Sequence, residues 1–417
     1  MIRLKTNWNR RSFLNALAAS IGGLLSPVRA FPKPRRTRTN GFGSSGNPYA
    51  ELGLTTVINC QGTMTMLGGS VLRPELEAVM AEAGKHFVPI LELEVAAGKR
   101  IAEILKLPQG YSALVTSGAA AAMQSGLAGI LTGANEQFIR QLPDLTGMKS
   151  EVIIQKSHRN PFDHQLRSTG VKLIEVETSE DVRKAVTEKT AMMHFTNFAN
   201  FSGQIKVDEF ARLAKEFKLP CMNDAAADTP PVSHLWDYAN MGYDLVTFSG
   251  GKAIRGPQCA GLLIGRQEMV ANALLNNSPH EDTLGRSQKV GKEEIVGMVK
   301  ALELYVNEDH DSLWEYWQHQ LLAISDQITK MPGVSTEFFV PEIANQVPHM
   351  AINWDPAKCP LTVRQVSQLL RESKPSIVMP SGEGRSGLVM CSFMLQPGEH
   401  RIVAERLVEI LRSKSGP

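Results

Sequence analysis

The chain has 417 residues, 43% hydrophobic and 21% charged, with a net charge of +2. That length can bury the core of a two-domain α/β enzyme. The near-neutral balance excludes a basic nucleic-acid footprint, and no apolar run is long enough to span a bilayer.

In chain order, Asn9-Arg10-Arg11-Ser12-Phe13-Leu14 is a twin-arginine pattern, followed by the short, mild apolar stretch Ala16–Leu25. Val28-Arg29-Ala30 supplies small residues around a cleavage point. Residues 1–30 therefore read as a signal peptide for the Tat route, with the Tat translocase as partner and the periplasm as destination. A basic amphipathic arm is the competing reading. Residues 31–48, rich in Pro, Arg, Gly and Ser, read as a flexible linker.

From there strand and helix signals alternate. Leu114-Val115-Thr116 runs as a strand into Ser117-Gly118-Ala119, the start of an alanine-rich helix. Backbone N–H groups at such a start can hold a phosphate, although close helix packing also favours small residues. Strands follow at Glu151–Ile154, Val171–Val176 and Ala191–Phe195, with a helix at Ser179–Val186 between the last two. This is the βαβ pattern of a mostly parallel sheet. A helix around Phe210–Phe217 precedes the short strand Leu219–Met222, which leaves Asp224 just past a strand's carboxyl end, the ligand-binding edge of such sheets. In pyridoxal 5'-phosphate (PLP) enzymes a carboxylate here keeps the pyridinium nitrogen protonated. Asp228 competes for that task, and capping or turn closure would explain either residue.

Lys252 lies in Ser249-Gly250-Gly251-Lys252, between the apolar runs Leu245–Phe248 and Gly261–Gly265. Desolvation there favours a neutral, nucleophilic amine of the kind a Schiff base requires. A surface lysine in a hairpin loop is the alternative. Beyond it, a long helix is predicted from Glu293 to Tyr305 and on toward Ile328. A smaller α+β domain then carries strands near His349–Asn353 and Gly387–Cys391 and a last helix from Glu399 to Leu411. Cys60, Cys221, Cys259, Cys359 and Cys391 are scattered and odd in number. Three of them, Cys221, Cys259 and Cys391, sit in apolar stretches and are expected to be buried free thiols. No Cys or His pair has zinc spacing.

The segments Val57–Thr63, Val115–Ala121, His194–Phe198, Asp224–Ala226 and Ser249–Lys252 with Gly256–Gln258 carry a family resemblance. The chain resembles the bacterial selenocysteine synthase (L-seryl-tRNA selenium transferase) superfamily of fold-type I PLP enzymes, nearest its D-glucosaminate-6-phosphate ammonia-lyase branch. The likeness covers nearly everything from Tyr49 onward. It is specific for fold and cofactor and much less so for substrate. It implies a mostly parallel-sheet large domain, with its N-terminal arm, over residues 49–300 and a small C-terminal domain over 301–417. It also implies a homodimer or higher homo-oligomer.

By that resemblance Lys252 corresponds to the internal-aldimine lysine and Asp224 to the pyridinium partner. Ser117, Gly118 and Ala119 resemble the phosphate cup, with Ser249 as a further phosphate contact. An asparagine should meet the ring hydroxyl, and both Asn197 and Asn200 fit. His158 follows a strand end and is the candidate for stacking over the ring or handling a proton; a loop-bonded histidine is the competing reading. Arg159, Arg167, Arg286 and Arg385 are candidates for holding a substrate carboxylate or phosphate. Arg286, in the Leu284–Lys289 segment, could reach a neighbouring subunit's site. Solvated surface arginines would look the same.

The expected activity is α,β-elimination on a small amino acid or amino sugar acid, of the ammonia-lyase type. Transamination and selenium transferase-like β-replacement share its early steps. A non-catalytic periplasmic binding protein on the same fold is the alternative from another class, and an intact Lys252 and Asp224 speak against it. Little chain precedes Tyr49 to form a tRNA-binding domain, and an exported protein would not meet charged tRNA. A small amino compound, with no nucleic acid, is therefore the expected partner. Tat export moves folded proteins, which suits an enzyme loaded with its cofactor in the cytoplasm.

Overall fold

A computed structural model describes residues 46–342, 344–380 and 387–412. The twin-arginine segment and Arg385 lie outside the described residues. The chain divides into two compact units, 1–56 and 57–417. Within the first, a short helix at Pro48–Glu51 is capped by the Asn47 side chain, which accepts from the Tyr49 N–H at 3.1 Å.

The second unit is built on a seven-stranded sheet. Its strands are β2 (Tyr111–Thr116), β3 (Glu151–Gln155), β4 (Lys172–Val176), β5 (Thr190–Thr196), β6 (Cys221–Asp224), β7 (Leu245–Ser249) and β8 (Gly261–Arg266). They lie in the order β2-β8-β7-β6-β5-β3-β4. β8 runs antiparallel to both neighbours, and the remaining pairs are parallel. Every residue of β5 is buried, so this strand reads as a continuous run rather than an alternation, as a strand covered on both faces must.

Two cores cover the faces. On one, the Gly118–Thr132 helix packs Met123 and Leu127 against Leu114, Met222 and Leu245. On the other, Phe210 of the Val207–Glu216 helix and Met298 of the Lys292–Val306 helix meet Phe195, Tyr243 and Val246. β2, β6 and β7 all end at the same edge, so Gly118, Asp224 and Lys252 converge although they are far apart in sequence. Register aligns them: Thr116 pairs with Gly261, Gly261 with Ser249, Thr247 with Asp224, and Asp224 with Thr196. Asp224 is the last residue of β6, one place inside its expected position past the strand.

The C-terminal elements form the antiparallel sheet β12-β10-β9, from Leu388–Cys391, His349–Trp354 and Val334–Phe339. A separate parallel pair joins β1 (Val57–Asn59) to β11 (Ser376–Val378). Ile58 thus shares a core with Leu321, Ile352 and Leu407, which ties the start of the unit to its end. The long helix expected from Glu293 toward Ile328 is two helices. Lys292–Val306 stops at Asn307, and His310–Ile328 starts afresh with Asp309 accepting from the Ser312 N–H at 3.1 Å. An N-capping Asp inside an apolar periodicity is the signal that separates them. All five cysteines are free thiols; four are buried, but Cys259 is exposed because it sits in the loop between β7 and β8, outside either apolar strand.

Candidate active site

A cavity of about 250 Å³ opens at the shared strand edge. Gly118, Ala119, Asp224, Ser249 and Lys252 all line it, together with Asp228. The start of the 15-residue Gly118–Thr132 helix faces this space and carries no acidic residue in its first turn. It therefore offers free N–H groups and a positive dipole end to an anion. Two glycines make this possible. Gly118 has φ +87°, a left-handed conformation that other residues adopt at a cost. A Cβ on Gly261 would come within 2.4 Å of the Gly118 carbonyl carbon and 2.6 Å of the Ala119 nitrogen, so a side chain there would push the helix start off the sheet.

Asp224 is buried at the end of β6. Its Oδ1 accepts from the Ala226 N–H at 3.1 Å and from the Thr247 hydroxyl at 3.4 Å. Burial pushes its carboxyl above the usual range, while the Ala226 N–H and the charge of Lys252 pull it partly back. Lys252 is shifted the opposite way: burial lowers its ammonium, and Asp224 restores part of the loss. Each charge thus partly offsets what burial does to the other group. Gln258 and Gly251 complete the loop. A Cβ on Gly251 would lie 2.1 Å from Gln258 Oε1, and one on Gly69 only 1.8 Å from the same atom, so both glycines are required for this side chain to fold in.

Several predicted residues stand elsewhere. His158 is fully buried and does not line the cavity. Its Nδ1 accepts from the Thr196 N–H at 3.1 Å, its Nε2 meets the Gln155 amide at 3.0 Å, and its ring packs edge-on to Phe195 at 4.5 Å. Burial, followed by the charge of Lys206, lowers its pKa to about 4. It is a neutral structural histidine because the chain turns inward after β3. Asn200 also faces away: its Oδ1 accepts from the Val207 N–H at 3.1 Å, at the start of a helix. Asn197 is buried and donates from Nδ2 to Asp228 Oδ2 at 2.5 Å. Ser117 occupies the position before the helix without a side-chain capping bond and does not line the cavity. Arg159 is committed to Asp163 at 2.6 Å and to Glu175, and Arg167 to Asp163 at 2.9 Å. Arg286 does not line the cavity.

Phe162, Phe198 and Thr65 line the cavity and were missed by sequence reasoning. Phe162 had a readable signal. It sits in the same segment as His158, after Asn160-Pro161, and Asn-Pro favours the start of a turn, where side chains tend to lie at the surface. Asn160 Oδ1 accepts from the Phe162 N–H at 2.8 Å, and the ring is 57% exposed.

A sheet with one reversed strand, and a lysine in the loop leading into that strand, is the arrangement of fold-type I PLP enzymes. A Thermus thermophilus aspartate aminotransferase shares it at TM-score 0.53 and 15% identity over 85% of this chain and 98% of that one, a likeness of fold alone. A solved D-glucosaminate-6-phosphate ammonia-lyase superposes at TM-score 0.75 with 26% identity, covering 88% of this chain and 98% of that one. Residues 57–323 match the L-seryl-tRNA selenium transferase family, and the chain belongs to it. Among curated relatives, a D-glucosaminate-6-phosphate ammonia lyase from Salmonella typhimurium is 28% identical, across 87% of this chain and 98% of its own length. A 5'-C-glycyluridine monooxygenase-decarboxylase from a Streptomyces species is 26% identical across 90% and 94%. An L-seryl-tRNA(Sec) selenium transferase from Alkaliphilus oremlandii is 26% identical across 63% of this chain and 58% of its own. The protein is thus an enzyme of the PLP-dependent lyase and transferase group.

Proposed function

We propose that this chain binds PLP and catalyses α,β-elimination on a small amino acid or amino sugar acid, in which the α-proton and a β-leaving group depart and hydrolysis of the resulting enamine by water releases ammonia and a keto product. The observation that carries the reading is one cavity lined by the half-buried Lys252, the buried Asp224 and a helix start. These residues fit the cofactor. The helix start at Gly118–Ala120 would receive its phosphate, Lys252 Nζ its aldehyde carbon, and Asp224 the proton of its ring nitrogen. Bound there, PLP supplies an electron sink for a carbanion at the substrate's α-carbon.

The remaining work falls to the chain. Burial lowers the ammonium of Lys252, which favours the free amine, so an Nζ not engaged by the cofactor would be able to take the α-proton. Asp224 is held by Ala226 and Thr247, so its carboxylate keeps one orientation in which it would hold the proton of the ring nitrogen. Phe162 and Phe198 line the cavity and would cover part of a bound ligand. Elimination is favoured over transamination by the likeness to the Salmonella ammonia lyase along nearly the whole of both chains. Among the described residues, Lys252 is the one cationic side chain lining the cavity. An anionic substrate tail would therefore need a further cation, and Arg286 of a second copy in a homodimer is our candidate. We also place the enzyme in the periplasm, on the strength of Arg10 and Arg11.

The test is chemical. The purified protein with PLP should show a visible absorbance band, and borohydride should fix a phosphopyridoxyl group on Lys252. Amino sugar acids should then yield ammonia and a keto acid. A label on any other lysine would overturn the assignment.

A further inference from the structure

Three polar residues line the cavity without a part in the proposed reaction: Thr65, Asp228 and Gln258. Among the described residues, each keeps hydrogen-bonding capacity unspent. Asp228 is anchored through one oxygen. Its Oδ2 accepts from the Asn197 amide at 2.5 Å and from the Tyr238 hydroxyl, with His234 Nδ1 at 3.2 Å, and no described residue bonds Oδ1. Gln258 is held by shape instead. Its Oε1 rests so close to Gly69 and Gly251 that an added Cβ on either would come within 1.8 Å or 2.1 Å of it. No described residue hydrogen-bonds its carboxamide or the Thr65 hydroxyl. A side chain fixed by packing, with its donors and acceptor unspent, is pre-organised for a ligand.

Charge narrows what these groups can recognise. Lys252 is the one cationic side chain among the described lining residues, and the PLP reading engages it with the cofactor. An anionic group beside Asp228 would therefore find no cation on this wall, and an anionic tail would have to lie beyond it. An alkyl chain would leave all three polar groups without partners. A hydroxyl satisfies each of them, because it both donates and accepts. For the same reason the pairing does not depend on the protonation state of Asp228.

We infer that Gln258 and Asp228 are specificity-determining residues that bind hydroxyl groups on substrate carbons beyond the two reacting ones. The site then takes a polyhydroxylated 2-amino acid in preference to an alkyl one. The inference rests on the PLP reading above and narrows its substrate from small amino acids to amino sugar acids.

The experiment uses the full chain loaded with PLP. Two ligands of the same α-configuration are compared, 2-amino-2-deoxygluconate and 2-aminohexanoate, which differ only in their hydroxyls. Dissociation constants are read from the immediate change that each makes in the cofactor's visible band on rapid mixing. The wild type should hold the hydroxylated ligand at least about tenfold more tightly. Gln258→Met keeps the length of the side chain and strands no partner. It should leave the melting temperature unmoved and cut the preference about threefold to tenfold. Asp228→Ala should cut it likewise. Asp228→Asn keeps an oxygen for Asn197 and Tyr238 and offers the cavity an amide that still bonds a hydroxyl, so the preference should survive. If Asp228→Ala fails to fold, Gln258→Met and Asp228→Asn carry the test. A wild type without preference overturns the inference. So does a Gln258→Met chain that weakens both ligands equally, or neither, since a packing role predicts that. A wild-type chain with no cofactor band overturns the PLP reading instead, and that control tells the two failures apart.

Discussion

Two loops leave the same edge of the sheet and meet opposite fates. After β6 the chain runs from Asp224 to Asp228 along the cavity; Asp224 accepts at Oδ1 from Ala226 and Thr247, and Asp228 accepts at Oδ2 from Asn197 and Tyr238, yet both residues still line the cavity. After β3 the chain runs Lys156 to Arg167 through an equally polar sequence, yet its groups satisfy one another. His158 is spent on Thr196 and Gln155, and Asp163 on Arg159, Arg167 and the Asn160 N–H. Position at the carboxyl edge of a parallel strand is therefore necessary for a catalytic group but does not suffice. What decides is whether local partners have already consumed its hydrogen-bonding capacity.

The largest expected effects lie in the first loop and in Lys252. Lys252→Ala should lower turnover on the order of 10⁴-fold, because one residue serves as both anchor and base. Asp224→Ala should lower it by about 10²–10³-fold with PLP still bound, since a fixed charge facing the reacting system is lost. Steady-state rates and borohydride labelling check both. Near-wild-type turnover of Asp224→Ala would break the comparison at its functional end. In the second loop, Asp163→Ala should instead leave turnover nearly intact and destabilise the fold by about 2–3 kcal/mol. It leaves Arg167 without this carboxylate, only 2% exposed, and Arg159 with Glu175 alone, and the partial exposure of both guanidinium groups softens the cost. Urea unfolding measures this, and a large loss of kcat with unchanged stability would contradict it.

These two loops also mark how far the sequence could be read. The strands from Glu151 to Gly265, the glycine-led helix start, Lys252 and Asp224 were legible because each follows from local pattern: apolar runs, small residues at a turn, and a lone charge between buried strands. The family likeness joined them into one site. The placement of His158, Asn200 and Arg159 was not legible, because it depends on partners supplied by other strands: Thr196, the Val207 backbone and Glu175. Period and propensity do not encode such pairings. β1 escaped for the same reason, since its partner β11 lies more than 300 residues away. The break at Asn307–Asp309 was written locally and was overlooked within a run of helical periodicity.

The inward turn of the second loop has a pH signature. His158 falls from an ordinary value of 6.5 to about 4 by burial and then by the charge of Lys206, and its neighbour His194 falls to about 3 by burial and then by His158. The folded chain thus binds fewer protons than the unfolded chain between those values. The stability in question is complete above pH 6.5 and is lost as pH falls through 4, and His158 alone accounts for at most about 3 kcal/mol of it. His158→Gln keeps an acceptor for Thr196 but cannot charge. Denaturant unfolding at pH 7 and pH 4.5 should show a shallower loss for the variant, and equal losses would sink the account.

The smallest effect on stability, and the sharpest test of the contrast, lies four residues further along. Phe162 belongs to the same loop as His158, but the Asn160 cap turns it out to the cavity mouth. Because the ring is 57% exposed, truncation should forfeit little packing, and Phe162→Ala should alter folding free energy by no more than about 0.5 kcal/mol. Its loss should instead be felt by whatever occupies the cavity, since an aromatic face there covers a bound ligand and keeps water from it. A rise of about threefold to tenfold in KM or in the PLP dissociation constant is the expected outcome, as a few tens of Å² of apolar contact are given up. His158→Ala should do the reverse: it leaves the Thr196 N–H without its acceptor in the core and opens a hole beside Phe195, so stability falls while ligand affinity in the surviving folded fraction does not. If both alanine variants lost stability alike, or both lost ligand affinity alike, the division of this loop into an inward structural half and an outward binding half would fail.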